Sequence, residues 1–231
     1  MISIVIPVLN EAEGIEALVH HLISKAKQPE NIELIIVDGG SKDESTSIIR
    51  NMPLDRNVRL FESQAGRAKQ MNLGASKAKH DILYFLHADS YPPMHFDALI
   101  INEIEKGNNA GCFRMCFNNS HWWLRLASWL TQFNWRACRG GDQSQFITKR
   151  LFNEIGGYDE DYTIYEDNIL INELFARNEF VVINKELITS ARMYERHGVW
   201  KTQYHFWAIY IKRWFGASAD ELLAYYKKHL C

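Results

Sequence analysis

Short apolar runs alternate with longer amphipathic stretches through the first half of the chain. Ile2–Val8 is apolar almost throughout, the pattern of a strand buried on both faces. Asn10 follows as the expected N-cap of a helix, with Glu13 as its capping-box partner. Ile15, Leu18, Val19, Leu22 and Ile23 then recur at helical spacing, which carries that helix to about Lys27. A second buried strand at Leu34–Val37 ends on Asp38-Gly39-Gly40-Ser41, and a helix starting at Ser41 or Asp43 runs to about Asn51. Val58–Phe61 predicts a third strand, followed after Gly66 by a helix through about Lys79. Ile82–Leu86 predicts a fourth, ending on His87-Ala88-Asp89. Strands alternating with helices imply right-handed crossovers and a mainly parallel sheet with helices on both faces. Ligands of such sheets bind outside the carboxyl ends of the strands, where Asn10-Glu11, Asp38, Arg67 and Asp89 all fall.

The second half is less regular. Pro92-Pro93 opens a helix to about Lys106, and Ala110–Phe117 has the composition of a strand. Gly140-Gly141 and Gly156-Gly157 mark turns, Asp167–Ala176 is helical, and Val199 onwards is mostly helical. Residues 121–135 are helical and heavily aromatic, with Trp122, Leu126, Trp129 and Phe133 in one stripe and Trp123, Leu124 and Leu130 beside it. A core helix is the expected reading of that stripe. The alternative is a groove or membrane-surface face that receives a lipid-linked or aromatic acceptor. No repeat, low-complexity tract or linker interrupts the chain, so one domain is expected over residues 1–231. Within it, 1–90 would form the regular half with the strand-end polar clusters, 91–200 the less regular half, and 200–231 the C-terminal helices.

Composition narrows the class. The 231 residues suffice for one sizeable α/β domain, and 47% hydrophobic with 23% charged residues is ordinary for a globular chain. A net charge of -2 gives no global basic field for nucleic acid. Cys112, Cys116, Cys138 and Cys231 form no C-x-x-C pair and are expected as buried small hydrophobes. The chain opens on its first strand rather than on a charged and then apolar leader, which with the cysteines points to the cytoplasm. No apolar stretch reaches the roughly 18 residues of a membrane span. The seven tryptophans, crowded into the second half, leave open a peripheral position at the inner face of the membrane.

Several polar clusters could carry chemistry, and each has a plainer alternative. Asp89 closes an apolar strand and could hold Mg²⁺ or Mn²⁺, or could cap the turn that follows. Asp38 could accept hydrogen bonds from a base or ribose, while Asp43 suits helix capping better. The G-x-G-x-x-G loop of dinucleotide folds is absent after the first strand. Arg67, at the opening of Gly66-Arg67-Ala68-Lys69-Gln70-Met71-Asn72, could bind phosphate or stack on a base, or belong to a solvated basic face. Glu166-Asp167 is either dipole compensation at a helix start or the source of a general base. Arg192, Glu195, Arg196 and His197 form a charged knot that could neutralise a diphosphate or be a surface ion-pair cluster. Nine histidines include no H-E-x-x-H spacing.

Taken in order, these segments resemble the family 2 glycosyltransferases of GT-A fold. Ser3 to Glu11 resembles that family's first strand with its Pro-x-x-Asn-Glu signature, here Pro7, Asn10 and Glu11. Ile35 to Asp43 resembles its V-D-D-G-S-x-D segment. Arg67 and Asn72 match its G-x-x-x-A-x-N-x-G element, His87-Ala88-Asp89 stands at its D-x-D position, and Glu166-Asp167 matches its E-D pair. A bacterial subgroup of small, soluble members is closer still, through Gly66–Asn72, His87-Ala88-Asp89, Gly141-Asp142-Gln143 and the run from Ser190 to Gly198.

The resemblance implies a nucleotide-sugar donor, uridine being the family's commonest base, held by Pro7, Asn10, Glu11, Asp38, Arg67, Asn72, His87 and Ala88. It implies a divalent cation, Mn²⁺ or Mg²⁺, on Asp89 with His87, and Asp167 of the Glu166-Asp167 pair as catalytic base. Arg192 and Arg196 would then meet the departing diphosphate, and the sugar would transfer with inversion to an acceptor hydroxyl. Two departures stand out: His87 replaces the first Asp of D-x-D, and Ile169 replaces the acid often found two residues after E-D. The altered D-x-D makes a non-catalytic nucleotide-sugar binder one rival. The other is a sugar nucleotidyltransferase, whose Gly-rich phosphate loop Asn10-Glu11-Ala12-Glu13 does not resemble.

Overall fold

The computed structural model describes residues 1–52, 57–140 and 143–230. Its elements in chain order begin with β1 (Ile2–Val8), α1 (Ile15–Lys25), β2 (Ile32–Asp38), α2 (Ser45–Asn51), β3 (Val58–Glu62), α3 (Arg67–Lys77) and β4 (Ile82–Phe85). They continue with β5 (Ser90–Tyr91), α4 (Phe96–Glu105), β6 (Ala110–Phe117), α5 (Trp122–Leu130), β7 (Gln145–Thr148) and α6 (Lys149–Ile155). Then follow α7 (Glu166–Ala176), β8 (Val181–Thr189), α8 (Arg192–His197), α9 (Val199–Trp214) and α10 (Ala219–Leu230). One eight-stranded sheet runs through the whole, in the order β3-β2-β1-β4-β7-β6-β8-β5. The first four strands are parallel, as the alternation predicts, and β7 turns the direction by pairing antiparallel with both β4 and β6.

Period-2 alternation explains why both faces of this sheet are covered. Ile2, Ile4, Ile6 and Val8 of β1 enter one apolar layer with Ile15, Leu18, Val19 and Leu22 of α1 and Phe96 and Ile100 of α4. Val5 enters the opposite layer with Ala68, Met71 and Ala75 of α3, Leu151 of α6 and Leu170 and Leu174 of α7. A strand with helices on both faces needs apolar residues at odd and even positions alike, hence the unbroken run in the sequence. Glu33 is the polar exception in β2. It takes hydrogen bonds from Ser3 Oγ (2.6 Å) and the Lys79 amide (2.6 Å), and pairs with Arg59 (2.7 Å). Burial pushes its carboxyl up, but these partners outweigh burial and hold it below the ordinary value.

The structure corrects several expectations. Asn10 does not cap α1, which starts at Ile15 behind Gly14. Its backbone is left-handed (φ 56°), its amide donates to Ser41 Oγ (2.9 Å), and its Oδ1 accepts from the Lys42 amide (2.8 Å). Glu11 N on Ser45 Oγ and Ala12 N on Asp43 Oδ2 continue the same lacing of the β1–α1 loop to the β2–α2 loop. A cap formed within one segment has been replaced by bonds between two loops. The Trp-rich helix is also shorter and less buried than expected. It ends at Leu130, its buried face is Leu124 and Ser128, and Trp122, Leu126 and Trp129 are exposed. Val199 onwards forms two helices broken at Phe215–Ser218, and β5, β7 and β8 were not anticipated. Among the cysteines Cys112 is buried, Cys116 and Cys138 are half-buried, and all three are free. Gly141, Asp142 and Cys231 lie outside the described residues. No helix among the described residues is long and apolar enough to cross a membrane.

Candidate active site

A cleft of about 2170 Å³ opens along the carboxyl ends of the parallel strands and reaches the C-terminal helices. Of the residues singled out from the sequence, Pro7, Glu11, Arg67 and His87 line it, as do Ala88, Asp89, Asp167 and Arg192. They come from β1, α3, the end of β4, the start of α7 and the start of α8, elements far apart in sequence. Five of the predicted residues do not line it. Asn10 faces a smaller adjoining hollow that it shares with Glu11, Asp89 and Arg192. Asp38 is turned into its own loop, accepting from the amides of Gly40 (2.8 Å) and Ser41 (3.0 Å). Asn72 is committed to the loop before α7: its Nδ2 donates to the Tyr158 carbonyl and to Glu160, and its Oδ1 accepts from the Tyr158 amide. Glu166 is fully buried, and Arg196 is exposed.

Two arginines organise the wall through ion pairs. Arg67 Nε meets Glu166 Oε1 at 2.7 Å, tying the start of α3 to the start of α7. Burial pushes the Glu166 carboxyl above its ordinary value, and Arg67 works against that rise. The next residue, Asp167, is thereby presented to the cleft at a helix N-terminus, where amide dipoles favour a carboxylate. Tyr165, just before this pair, holds a left-handed backbone (φ 75°), an uncommon conformation for a bulky residue. Its ring meets Tyr210 of α9 edge-on at 5.4 Å. On the other side Arg192 forms a bidentate pair with Glu11 and lies 3.4 Å from Asp89. Hydrogen bonding to Glu11, helped by the charge of Asp89, raises the guanidinium further above its ordinary value.

A divalent cation is compatible with this chemistry. Asp89 offers a carboxylate and His87 an imidazole at one edge of the cleft, and the guanidinium beside Asp89 shows that the place accommodates positive charge. No three His, Cys, Asp or Glu side chains converge as a closed metal cage among the described residues. Such a donor pair fits a cation that completes its shell with diphosphate oxygens and water.

Sequence reasoning missed three features of the site. Gln70 is buried and donates to the carbonyls of Val8 (2.9 Å) and Val37 (2.7 Å), fixing the ends of β1 and β2 beside the cleft. Arg136 reaches α7 through Asn172 (2.5 Å) and Asn168 (3.1 Å). Arg139, itself buried, donates to the carbonyls of Thr131 (2.5 Å) and Phe133 (2.8 Å). Two arginines in the break between an aromatic helix and a strand were the available signal for the latter pair.

The model of one family, described as glycosyl transferase family 2, matches residues 3–170. An uncharacterised glycosyltransferase of Haemophilus influenzae is 36% identical over 94 residues, covering 39% of this chain and 37% of that protein. The undecaprenyl-phosphate 4-deoxy-4-formamido-L-arabinose transferase of Aeromonas hydrophila is 28% identical over 152 residues, 63% of this chain and 46% of that protein. The chain thus spans less than half the length of these curated relatives. Among solved structures, Staphylococcus aureus TarS (residues 1–349) in complex with UDP-GlcNAc superposes with TM-score 0.67 at 17% identity, over 82% of this chain and 58% of that one. The mannosyltransferase PcManGT of Pyrobaculum calidifontis, in complex with GDP-Man and Mn²⁺, gives 0.65 at 18%, over 98% and 63%. The architecture is the GT-A fold.

Proposed function

The chain belongs to glycosyl transferase family 2, and from that premise we propose that it transfers a sugar from a nucleotide diphosphate to an acceptor hydroxyl, inverting the anomeric carbon. The observation that carries this reading is the Arg67–Glu166 pair, which sets Asp167 on the wall of the cleft that Asp89 and His87 also line. In the reaction Asp167 takes the proton of the acceptor hydroxyl as that oxygen bonds to the anomeric carbon. The bond from that carbon to the diphosphate breaks, and its electron pair leaves with the nucleoside diphosphate. Attack from the face opposite the leaving group makes this a single inverting displacement.

Asp89, with His87, would hold the divalent cation, Mn²⁺ or Mg²⁺, which when bound supplies charge stabilisation to the diphosphate. Arg192, already at the edge of the cleft, meets the same diphosphate charge. Glu166 is a positioning residue that acts through Arg67, since it is buried beneath the wall. Pro7 and Arg67 flank the nucleoside half. A nucleotide-sugar donor accords with UDP-GlcNAc in the TarS complex and with GDP-Man and Mn²⁺ in the PcManGT complex, and a uridine donor is our choice of base. The acceptor is lipid-linked or held close to a membrane, in keeping with the undecaprenyl-phosphate transferases among the relatives.

Hydrolysis of the donor, with water as acceptor, tests the role of Asp167 without knowledge of the natural acceptor. Asp167→Asn is expected to bind donor nearly as wild type does while hydrolysis falls about 10²-fold or more. Hydrolysis at the wild-type rate in that variant would remove Asp167 from the mechanism.

A further inference from the structure

Among the described residues, α5 and α9 carry most of the exposed tryptophans: Trp122 and Trp129 on α5, and Trp200, Trp207 and Trp214 on α9. On α9, Trp200, Tyr204, Trp207, Ile211 and Trp214 recur three and four residues apart, so they share one face, and all are exposed. Trp214 and the following Phe215 are 84% and 82% exposed, the most open large apolar side chains described. Trp122, Leu126 and Trp129 form the matching exposed stripe of α5. The two stripes meet: Trp122 and Trp123 lie 5.7 and 5.5 Å from Trp200, and Trp123 lies 5.8 Å from Trp207. One aromatic face therefore spans both helices.

Charge separates the candidate partners for this face. Neither helix contains an Asp or Glu, in a chain whose net charge is -2; the exposed Arg125 and Lys201 flank the stripes, while Lys212 and Arg213 of α9 lie over the rings of Tyr225 and Tyr162. Tryptophan and tyrosine interleaved with cations is the composition that settles at a bilayer interface, with rings among the headgroups and cations on anionic lipid. Two copies meeting through the same face would instead set cations of one against cations of the other. The cleft adds a second argument, because Trp123, Trp207, Ile211 and Trp214 also line it. The cleft that holds Asp89 and Asp167 thus extends to this face.

We propose that the α5–α9 face binds the surface of an anionic phospholipid bilayer and so sets the acceptor end of the cleft at the headgroup plane. The proposal specifies the membrane-proximal acceptor of the transferase reading, yet bilayer binding by this face stands or falls separately from catalysis.

Flotation of the intact protein with phosphatidylcholine vesicles, with and without phosphatidylglycerol, tests it. Wild type should float with the phosphatidylglycerol vesicles, blue-shift its tryptophan emission, and be released by salt. Arg125→Glu with Lys201→Glu should weaken that binding by more than about tenfold, since one cation near an anionic surface is worth roughly fivefold. Trp214→Ser with Phe215→Ser should also lose it; both side chains are largely solvent-exposed, and an unchanged melting temperature will verify the fold. A thermal shift with donor, measured on the charge-reversal pair, reports the nucleotide site independently, so its retention alongside lost flotation supports the proposal. Three results would overturn it: no flotation with either vesicle, flotation unchanged in both variants, or a wild-type dimer in sedimentation that the Trp214→Ser, Phe215→Ser pair abolishes.

Discussion

Arg192 holds two carboxylates at the edge of the cleft, Glu11 through a bidentate pair and Asp89 at 3.4 Å. A guanidinium there satisfies charge that the proposed divalent cation would otherwise compensate, so the two would compete for Asp89. Arg192→Gln should therefore tighten Mn²⁺ binding to the nucleotide-free protein by about two- to fivefold, the worth of an exposed ion pair. The electron paramagnetic resonance signal of free Mn²⁺ during titration measures this directly. Unchanged or weaker Mn²⁺ binding would show that Arg192 does not mask the site. At this scale the sequence marks residues whose placement depends on their own strand or helix end. Asp89 in the turn between β4 and β5, Arg67 at the start of α3 and Asp167 at the start of α7 all reach the cleft for that reason. The settings of Asn10 and Asn72 do not follow from their own elements, because each is held by a partner distant in sequence, Ser41 in one case and the Tyr158 segment in the other.

Among the elements, α3 carries both Arg67 and the buried Gln70 to the wall of the cleft. It lies so close to the sheet that a Cβ on Gly74 would stand 2.3 Å from Val5 Cγ1 and 3.3 Å from Val37 Cγ2. Gly74→Ala should cost about 1–3 kcal/mol through overpacking, or roughly 2–10 °C in melting temperature for a chain of this size. Calorimetry that found the variant as stable as wild type would contradict so close an approach. Elements of the parallel half were legible because their strands are apolar on both faces and their helices strongly periodic. The second half gave weaker signals. β7 is four residues long, and β8 mixes exposed Asn184, Lys185 and Glu186 into its run, where a register shift against β6 falls. The stripe on α5 was visible as a stripe, but periodicity alone does not say whether an aromatic face meets the core or the solvent.

At the scale of the whole molecule, one continuous sheet supports two different edges of a single cleft. The parallel strands bring Pro7, His87 and Asp89 to one side, while the mixed strands and the C-terminal helices supply Arg192, Tyr210 and Trp207. The position of the first edge was readable, since its motifs sit at strand ends. The extent of the cleft was not, because α8, α9 and α10 join it only through packing. We propose that this cleft takes a nucleotide-sugar through Asp89 and a divalent cation. The most direct test is a thermal-shift screen of UDP-, GDP-, CDP- and dTDP-sugars, with and without Mn²⁺, on wild type and Asp89→Ala. A donor at a hundred times its Kd stabilises by about 2.7 kcal/mol, a rise of roughly 5–10 °C here. Such a rise is expected for one nucleotide, dependent on Mn²⁺ and lost in Asp89→Ala. No rise with any nucleotide in folded wild-type protein, or an equal rise in Asp89→Ala, would contradict it.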